Sequence, residues 1–441
     1  MRRRAVAATL AIALTAAAPA ARPSDLAPLD VVMLEVSYDT MTAQYYQRVA
    51  PQRLVDGART GIVAYLRGRG VASPVVPFER AATYAQGLHA LDREVARALL
   101  RYPARAVARP LIYGAIAGEL ATVRDPYTVF FDPKQYRAFV GFLNPSSFGG
   151  IGVVLAVTNA PPRLKVENVI PGAPAERAGM RTGDEIVSVD GRALGDLGVA
   201  NVQMRLRGGI GSTVRIGIVR NGTPLAQPLT VVRAAVRAPD VYARLLGEVG
   251  YIQLSSYGAN AATELEAALR RLRAQGARGW ILDLRGDGGG YRDVAVRVTS
   301  AFVPRGRLLT VEARGGRRTT LDSLGAAFVP RPLVALVDGN TASAAEITAS
   351  AIQDTAAGTL VGARTYGKGL VQQVVPLPDG SALKLTIERY LTAAGKDIDR
   401  RGIAPDVALE QPAGALAGDP ASDPQLARAL ALVRDRLAHA P

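Results

Sequence analysis

The sequence predicts an α+β multidomain protein: a helical N-terminal region, a compact β-domain, and a third region in which strands and helices alternate. Three observations carry this. The first part of the chain holds amphipathic runs at helical spacing, the middle holds short β-rich runs separated by turns, and the last part switches between the two periods. A length of 441 residues with 49% hydrophobic and 21% charged content suits packed domains rather than disorder. The 45 glycines and 28 prolines favour many short elements over one long helical array.

At the N-terminus, Arg2, Arg3 and Arg4 precede an apolar run from Ala5 to about Ala18, followed by small residues and Pro19. This is the three-part pattern of a secretory signal, assigned to residues 1–22. The apolar run is shorter than the ~20 residues a membrane span requires. The expected location is therefore extracytoplasmic, such as a periplasm, with the protein soluble or held by an uncleaved signal. The chain has no cysteine, which excludes disulfides and cysteine-ligated metals.

Residues 23–147 form the predicted helical region. Its runs "QRLVDGARTGIVAYLRGRG" and "RPLIYGAIAGELATVRDPY" share an apolar-x-Gly-Ala-x-x-Gly pattern, which close packing of a helix pair explains without duplication. The formal charge of +15 invites a nucleic-acid surface, and Arg93, Arg97, Arg101, Arg105 and Arg109 are spaced by four. Pro103 interrupts that stripe, and arginines are spread along the whole chain, so the stripe reads as a solvated face and no nucleic-acid partner is expected. A weak attraction to anionic membrane surfaces stays open.

The turn-rich "NPSSFGG" ends the helical pattern near Ser147. Residues 148–236 then carry "GGIGVVLAV", "RLKVENVI", "DEIVSVDG" and "TVRIGIVRNG" as strands, with two small helices at "GAPAERAG" and "VANVQMRL". Residues 237–411 alternate strand and helix through "VGYIQLSSY", "ATELEAALRRLRAQG", "GWILDLRGDGGG", "PLVALVDGN" and "SAAEITASAIQD". In the tail, 412–441, Ser422 or Asp423 caps a helix that starts at Pro424.

Chemistry concentrates in the third region. In "LVALVDGNTASAAEI" an apolar strand ends at Asp338-Gly339 and a helix begins near Ser343. That puts the Ser343 hydroxyl and the Ala344 N–H at a helix N-terminus, where free amides and the dipole favour a developing oxyanion. Taken alone, Ser343 also reads as an ordinary first-turn residue. A serine nucleophile needs a base, and His89 and His439 are badly placed, one in the helical region and one near the chain end. The only lysines are Lys134, Lys165, Lys368, Lys384 and Lys396, among 53 basic residues. Lys384 alternates with leucines and so falls on the polar face of a strand, while Lys396 lies beside Asp397 and Asp399 in a turn. Lys368, between Gly367 and Gly369 and followed by apolar residues, is the one suited to burial, where desolvation disfavours its charged form. Gln372, four residues on, shares its face on an extended strand and offers an amide to orient the lysine. The glycine-rich "LDLRGDGGG" follows a strand and brings a second backbone N–H, or is a tight turn only. "GARTYGKG" also fits a phosphate loop, but no Ser or Thr follows the lysine and "LVQQVVPLP" reads as a strand rather than a helix.

Together, "LDLRGDGGG", "VDGNTASAAEITASAIQD", "GARTYGKGLVQ" and "ALKLTIERYLTAAGKDIDRRGIAPDV" resemble the carboxyl-terminal processing peptidases, serine proteases with a Ser-Lys dyad and an inserted PDZ domain. "RDPYTVFFDPKQY", "FGGIGVVLAV" and "PGAPAERAGMRTGDEIVSVDG" extend the resemblance over about residues 110–410. It implies a PDZ-like β-domain and a ββα, crotonase-like protease core that works without cofactor or metal. It further implies Ser343 as nucleophile, Lys368 as base, Gln372 as its orienting partner, and an oxyanion hole from Ala344 and Gly289, with Gly290 as the alternative. Gly150, Ile151, Gly152 and Val153 would bind the terminal carboxylate of a polypeptide substrate, with an apolar tail in a pocket beside Ile151, Val153 and Val202. The oligomeric state stays open. Two departures stand out: Ser343-Ala344-Ala345-Glu346 where the family often has Ser-Ala-Ser-Glu, and Asp287-Gly288-Gly289-Gly290 where it often has Asn-Pro-Gly-Gly. The competing readings are an inactive PDZ-bearing adaptor, against which Ser, Lys and Gln are retained, and a crotonase-like acyl-CoA enzyme, which leaves the β-domain unexplained.

Overall fold

The computed structural model describes residues 28–439 apart from 144–147, 160–161, 171, 238, 327–329, 413–417, 419 and 421. The expected signal segment and the boundary near Ser147 lie outside the described residues. The chain divides into two compact units, one running to Lys134 and including Gln372–Thr386, the other taking Gln135–Val371 and Ile387 onward.

The first unit is built on helices Pro28–Gln44, Pro51–Gly68, Tyr84–Arg101 and Ala108–Ala121. The repeated glycines are where two of these helices touch. A Cβ at Gly61 would stand 1.9 Å from the Gly114 carbonyl oxygen, and one at Gly57 would stand 2.5 Å from that of Gly118. Helix-pair packing is thus what the shared pattern encodes. The arginine stripe ends with its helix at Arg101, before Pro103; Arg93 and Arg97 pair with Glu79, and Arg109 reaches Asp30 at 2.8 Å. The strand Val129–Phe131 pairs antiparallel with residues 382–384, setting Val129 opposite Lys384.

In the second unit, a seven-stranded antiparallel sheet carries Val153–Asn159 at its edge, then Pro162–Val169, Glu185–Val189 and Thr213–Arg220. The short helices Pro174–Arg177 and Val199–Leu206 fall on the two predicted segments. Phe148–Gly150 pairs with Ala234–Val236, so the two ends of this stretch meet. Its core gathers Ile151, Leu164, Ile186, Val202 and Ile216.

The alternating region forms a six-stranded sheet in the order Val241–Leu246, Val249–Leu254, Gly279–Asp283, Leu333–Val337, Thr359–Gly362, Val407–Ala408, parallel except for its first strand. Helices Ala261–Ala274, Arg292–Ser300 and Ala344–Asp354 share one apolar core with it. The central strand Leu333–Val337 is buried throughout, as a strand covered on both faces must be. The predicted terminal helix, Pro424–Ala438, covers the other face through Leu426, Ala429, Leu430 and Val433. Its cap residue Asp423 also binds Arg285, at 3.0 and 2.7 Å, and Arg285 in turn binds Asp283. The C-terminal helix is therefore tied to the loop that leaves the strand Gly279–Asp283.

Among the described residues of the first unit, Glu94 and Glu119 are wholly buried carboxyls. Desolvation pushes Glu94 and Glu119 each up to about 8. The Ser37 hydroxyl donates to Glu119 at 2.7 Å, and neither Glu94 oxygen has a partner. Both stay protonated in the fold over a pH range where the unfolded chain has ionised. The stability they contribute is full below about pH 4.5 and is lost as pH rises toward 8. The thermal midpoint should therefore fall between pH 5 and 8, and Glu94→Gln should flatten that slope by about one proton, roughly 1.4 kcal/mol per pH unit. Denaturation curves across this range check the effect; parallel slopes for the two proteins would contradict it.

Candidate active site

The strand Leu333–Val337 ends in a turn organised by Asp338. Its carboxylate accepts the amides of Gly286, Asn340 and Thr341 at 2.9–3.0 Å, and the Thr341 hydroxyl donates to the Leu284 carbonyl at 2.9 Å. Ser343 follows at φ 56°, ψ −116°, and the helix Ala344–Asp354 starts at the next residue. A positive φ at a non-glycine residue is costly, and such strain at a strand-to-helix turn is how a fold presents one side chain outward. Ser343 is half-buried, and its carbonyl is held by the Tyr390 hydroxyl at 3.1 Å. Ser350, by contrast, is buried inside the helix and bonded to the Ile347 carbonyl.

Glu346, fully buried, lies one turn into this helix. One carboxylate oxygen accepts the Ser343 amide at 2.9 Å and the Lys368 amide at 2.8 Å; the other accepts the Thr365 hydroxyl at 2.6 Å and the Gly367 amide at 2.7 Å. The Ser343 and Lys368 amide nitrogens thus lie within about 6 Å of each other, two hydrogen-bond lengths end to end. The Ser343-x-x-Glu346 spacing of a capping box is the one signal the sequence carries for this role, since the partners 19 to 22 residues away leave no periodic trace.

The glycines beside Lys368 are required by close backbone approach. A Cβ at Gly367, whose φ is +86°, would stand 2.7 Å from the Gly402 amide nitrogen, and one at Gly369 would stand 3.0 Å from that of Asp399. The segment 363–369 is a loop, and the strand Leu370–Pro376 begins after it, which also removes the phosphate-loop reading. Lys368 is half-buried. Because it precedes the strand, the shared-face argument linking it to Gln372 does not apply. Gln372, in the other unit, places its amide nitrogen 3.4 Å from the Thr386 hydroxyl, which donates to Asp125 at 2.5 Å. Lys384, expected on the polar face of its strand, is half-buried there: its ammonium stands 5.6 Å from the centre of the Phe131 ring, and burial pushes its pKa down. Lys396 pairs with Asp354 at 2.9 Å, and His89 and His439 are exposed.

The loop after strand Gly279–Asp283 reaches the same turn. A Cβ on Gly289, at φ +94°, would fall 2.8 Å from the Ala344 amide nitrogen and 2.9 Å from the Ser343 Cβ. Gly289 therefore lies against the Ser343 backbone, beside an amide that the helix leaves unbonded in its first turn. Its own N–H donates to Asp287 Oδ1 at 2.7 Å. Gly290 bridges to Tyr257, and the Tyr257 hydroxyl meets Thr348 of the helix at 2.6 Å.

In the β-domain, the Ile151 carbonyl accepts the Ala175 amide at 2.7 Å and the Gly152 carbonyl accepts the Ile170 amide at 3.0 Å. Across trans peptides this turns the Gly152 and Val153 N–H groups to the opposite side. Gly150 is buried, Val153 is half-buried, and Ile151 and Val202 are buried in the domain core.

The profile of peptidase family S41 matches residues 248–409, and that of the PDZ domain matches residues 165–220. The chain is 36% identical over 319 residues to the carboxyl-terminal-processing protease of Synechocystis, covering 69% of this chain and 74% of that protein. It is 34% identical over 304 residues to the carboxy-terminal processing protease CtpA of Bacillus subtilis, covering 68% of this chain and 64% of that one. Among solved structures it is similar to the photosystem II D1 C-terminal processing protease, with 27% identity and a TM-score of 0.50 over 90% of this chain and 99% of that one. A strained serine at a helix N-terminus, joined through one carboxylate to a glycine-flanked lysine, and a PDZ domain in the same chain agree with these likenesses: the protein belongs to peptidase family S41, among the carboxyl-terminal-processing proteases, and is a peptidase that acts on polypeptides.

Proposed function

We propose that the chain is an exported serine endopeptidase that cleaves polypeptides near their C-termini through a Ser343–Lys368 dyad. The observation that carries this reading is the shared Glu346 oxygen, which brings the nucleophile and base segments together. Ser343 Oγ attacks the scissile carbonyl and passes its proton to the neutral Lys368 amine, forming a tetrahedral oxyanion. The Ala344 N–H stabilises that charge, with the Gly289 or Gly290 backbone as the second donor. Lys368 then delivers the proton to the leaving amine, and water releases the acyl group from Ser343. Export rests on the Arg2–Arg4 cluster and the apolar run that follows it. Among the described residues no helix is long and apolar enough to cross a membrane.

Substrate capture is assigned to the β-domain. The edge strand Val153–Asn159 accepts an added strand, and the Gly152 and Val153 N–H groups point away from Ile170 and Ala175, toward the terminal carboxylate of a bound peptide.

Ser343→Ala should abolish cleavage of an unstructured protein while the far-ultraviolet dichroism is unchanged. Lys368→Arg should be as inactive as Lys368→Ala, because a guanidinium keeps its proton. Near-normal turnover by either Ser343→Ala or Lys368→Arg would place the chemistry elsewhere.

Peptides with free apolar C-termini should be cut faster, through a lower KM, than the same peptides amidated or ending in charged residues. Competition assays on the intact enzyme measure this, and equal rates for all three would refute tail recognition.

A further inference from the structure

We infer that Asp287 is a positioning residue for this reaction, a carboxyl whose proton decides whether the Gly289 amide serves the oxyanion or is held away from it. This rests on the Ser343 reading above and goes beyond it, since the dyad alone assigns Asp287 no part.

The geometry is local and closed. Asp287 is completely buried. Its carbonyl accepts the Ala342 amide at 2.9 Å, so its backbone is joined to the residue preceding the nucleophile. One side-chain oxygen takes the Gly289 N–H at 2.7 Å, and the other is buried without a partner. On its far side the loop is fixed, because the Tyr257 amide donates to the Gly289 carbonyl at 3.1 Å and the Tyr291 amide to the Tyr257 carbonyl at 3.0 Å. The contact left to vary is the one between the carboxyl and the Gly289 N–H.

Ionised, Asp287 binds that N–H through a charge-assisted bond and sets a negative charge beside the position where the oxyanion forms. Protonated, it is a weaker acceptor and carries no charge, so the N–H is released to the transition state. Its surroundings favour the proton: desolvation, aided by the charge of Asp240, pushes Asp287 up to about 8, against the hydrogen bond from Gly289. The other ionisable groups nearby are engaged elsewhere. Asp240 faces Arg237 at 3.4 Å and the Ser256 hydroxyl, and Glu264 accepts the Asp240 amide. Arg285 is turned to Asp283 and Asp423, Asp338 to its own turn, and Glu346 to its four donors. Burial keeps the Tyr257 phenol neutral, its pKa raised further by Asp287 itself.

The sign follows directly. Activity that rises with pH as the base loses its proton should fall again as Asp287 ionises, giving a bell-shaped profile. Asp287→Asn keeps an acceptor for Gly289 but cannot ionise. Profiles of kcat/KM from pH 6 to 10 on a fluorogenic peptide should show the alkaline fall in wild type and a plateau in Asp287→Asn. The variant should exceed wild type by about tenfold at pH 9, one unit above the midpoint. The same alkaline fall in both proteins would overturn the proposal. Independently of activity and of any variant's folding, carbon NMR of wild type labelled at aspartate Cγ should show one carboxyl titrating near pH 8, and no aspartate titrating above pH 6 would also overturn it. Neither outcome depends on whether Ser343→Ala is inactive, so failure here is distinct from failure of the dyad.

Discussion

The Glu346 carboxylate is the interaction on which the rest of the site depends. It satisfies four donors from two segments, the start of the helix that follows Ser343 and the loop carrying Lys368. A fully buried carboxylate is tolerated only when hydrogen-bonded throughout, and each bond to a charged group is worth about 1.5–3 kcal/mol. Its place in the first helical turn also suits the positive end of the helix dipole. One side chain therefore stabilises an otherwise strained turn at Ser343 and sets the distance to the lysine loop. Thr365 extends the arrangement, since its hydroxyl also accepts the Ile403 amide at 2.7 Å and so fixes the chain near residue 403.

Around this carboxylate the backbone is packed tightly enough that side chains are excluded. Gly289 lies on Ser343 and Ala344, and Gly367 and Gly369 lie on the segment 398–402. The loop carrying Gly289 thus packs on the Ser343 turn and the loop carrying Lys368 packs on 398–402, while the strand that leads into the turn is wholly buried and holds it rigidly. Asp287 builds the glycine turn of the Gly289 loop, since its carboxyl accepts the Gly289 N–H at 2.7 Å and its carbonyl accepts the Ala342 amide at 2.9 Å.

Much of this was legible in the sequence where local chemistry decides structure. The alternation of strand and helix, the capped terminal helix at Pro424, the small helices of the β-domain and the turn before Ser343 all follow from spacing and turn residues. The paired glycines of "VDGARTG" and "IYGAIAG" encode a helix contact, as their pattern implied. What escaped was long-range. Nothing near Glu346 signals that its acceptors face residues 365–368, and a strand face cannot be inferred for Lys368, which sits in a loop before the strand. Lys384 fits the alternation of its strand, yet the Phe131 ring packed beneath its ammonium comes from a strand some 250 residues earlier. The assignment of Gln372–Thr386 to the helical unit is of the same kind, a pairing with Val129–Phe131 that no local pattern shows.

The central claim is that Glu346 acts by holding Ser343 and Lys368 to one another. The rate at which a fluorophosphonate labels Ser343 tests it, measured for Glu346→Gln in the wild-type and in the Lys368→Ala background. If the carboxylate works through the lysine, Glu346→Gln should slow labelling by roughly a hundredfold in wild type, and by less than a tenth of that factor once Lys368 is gone. An equal slowing in both backgrounds would contradict the account and leave Glu346 as a residue of fold stability alone.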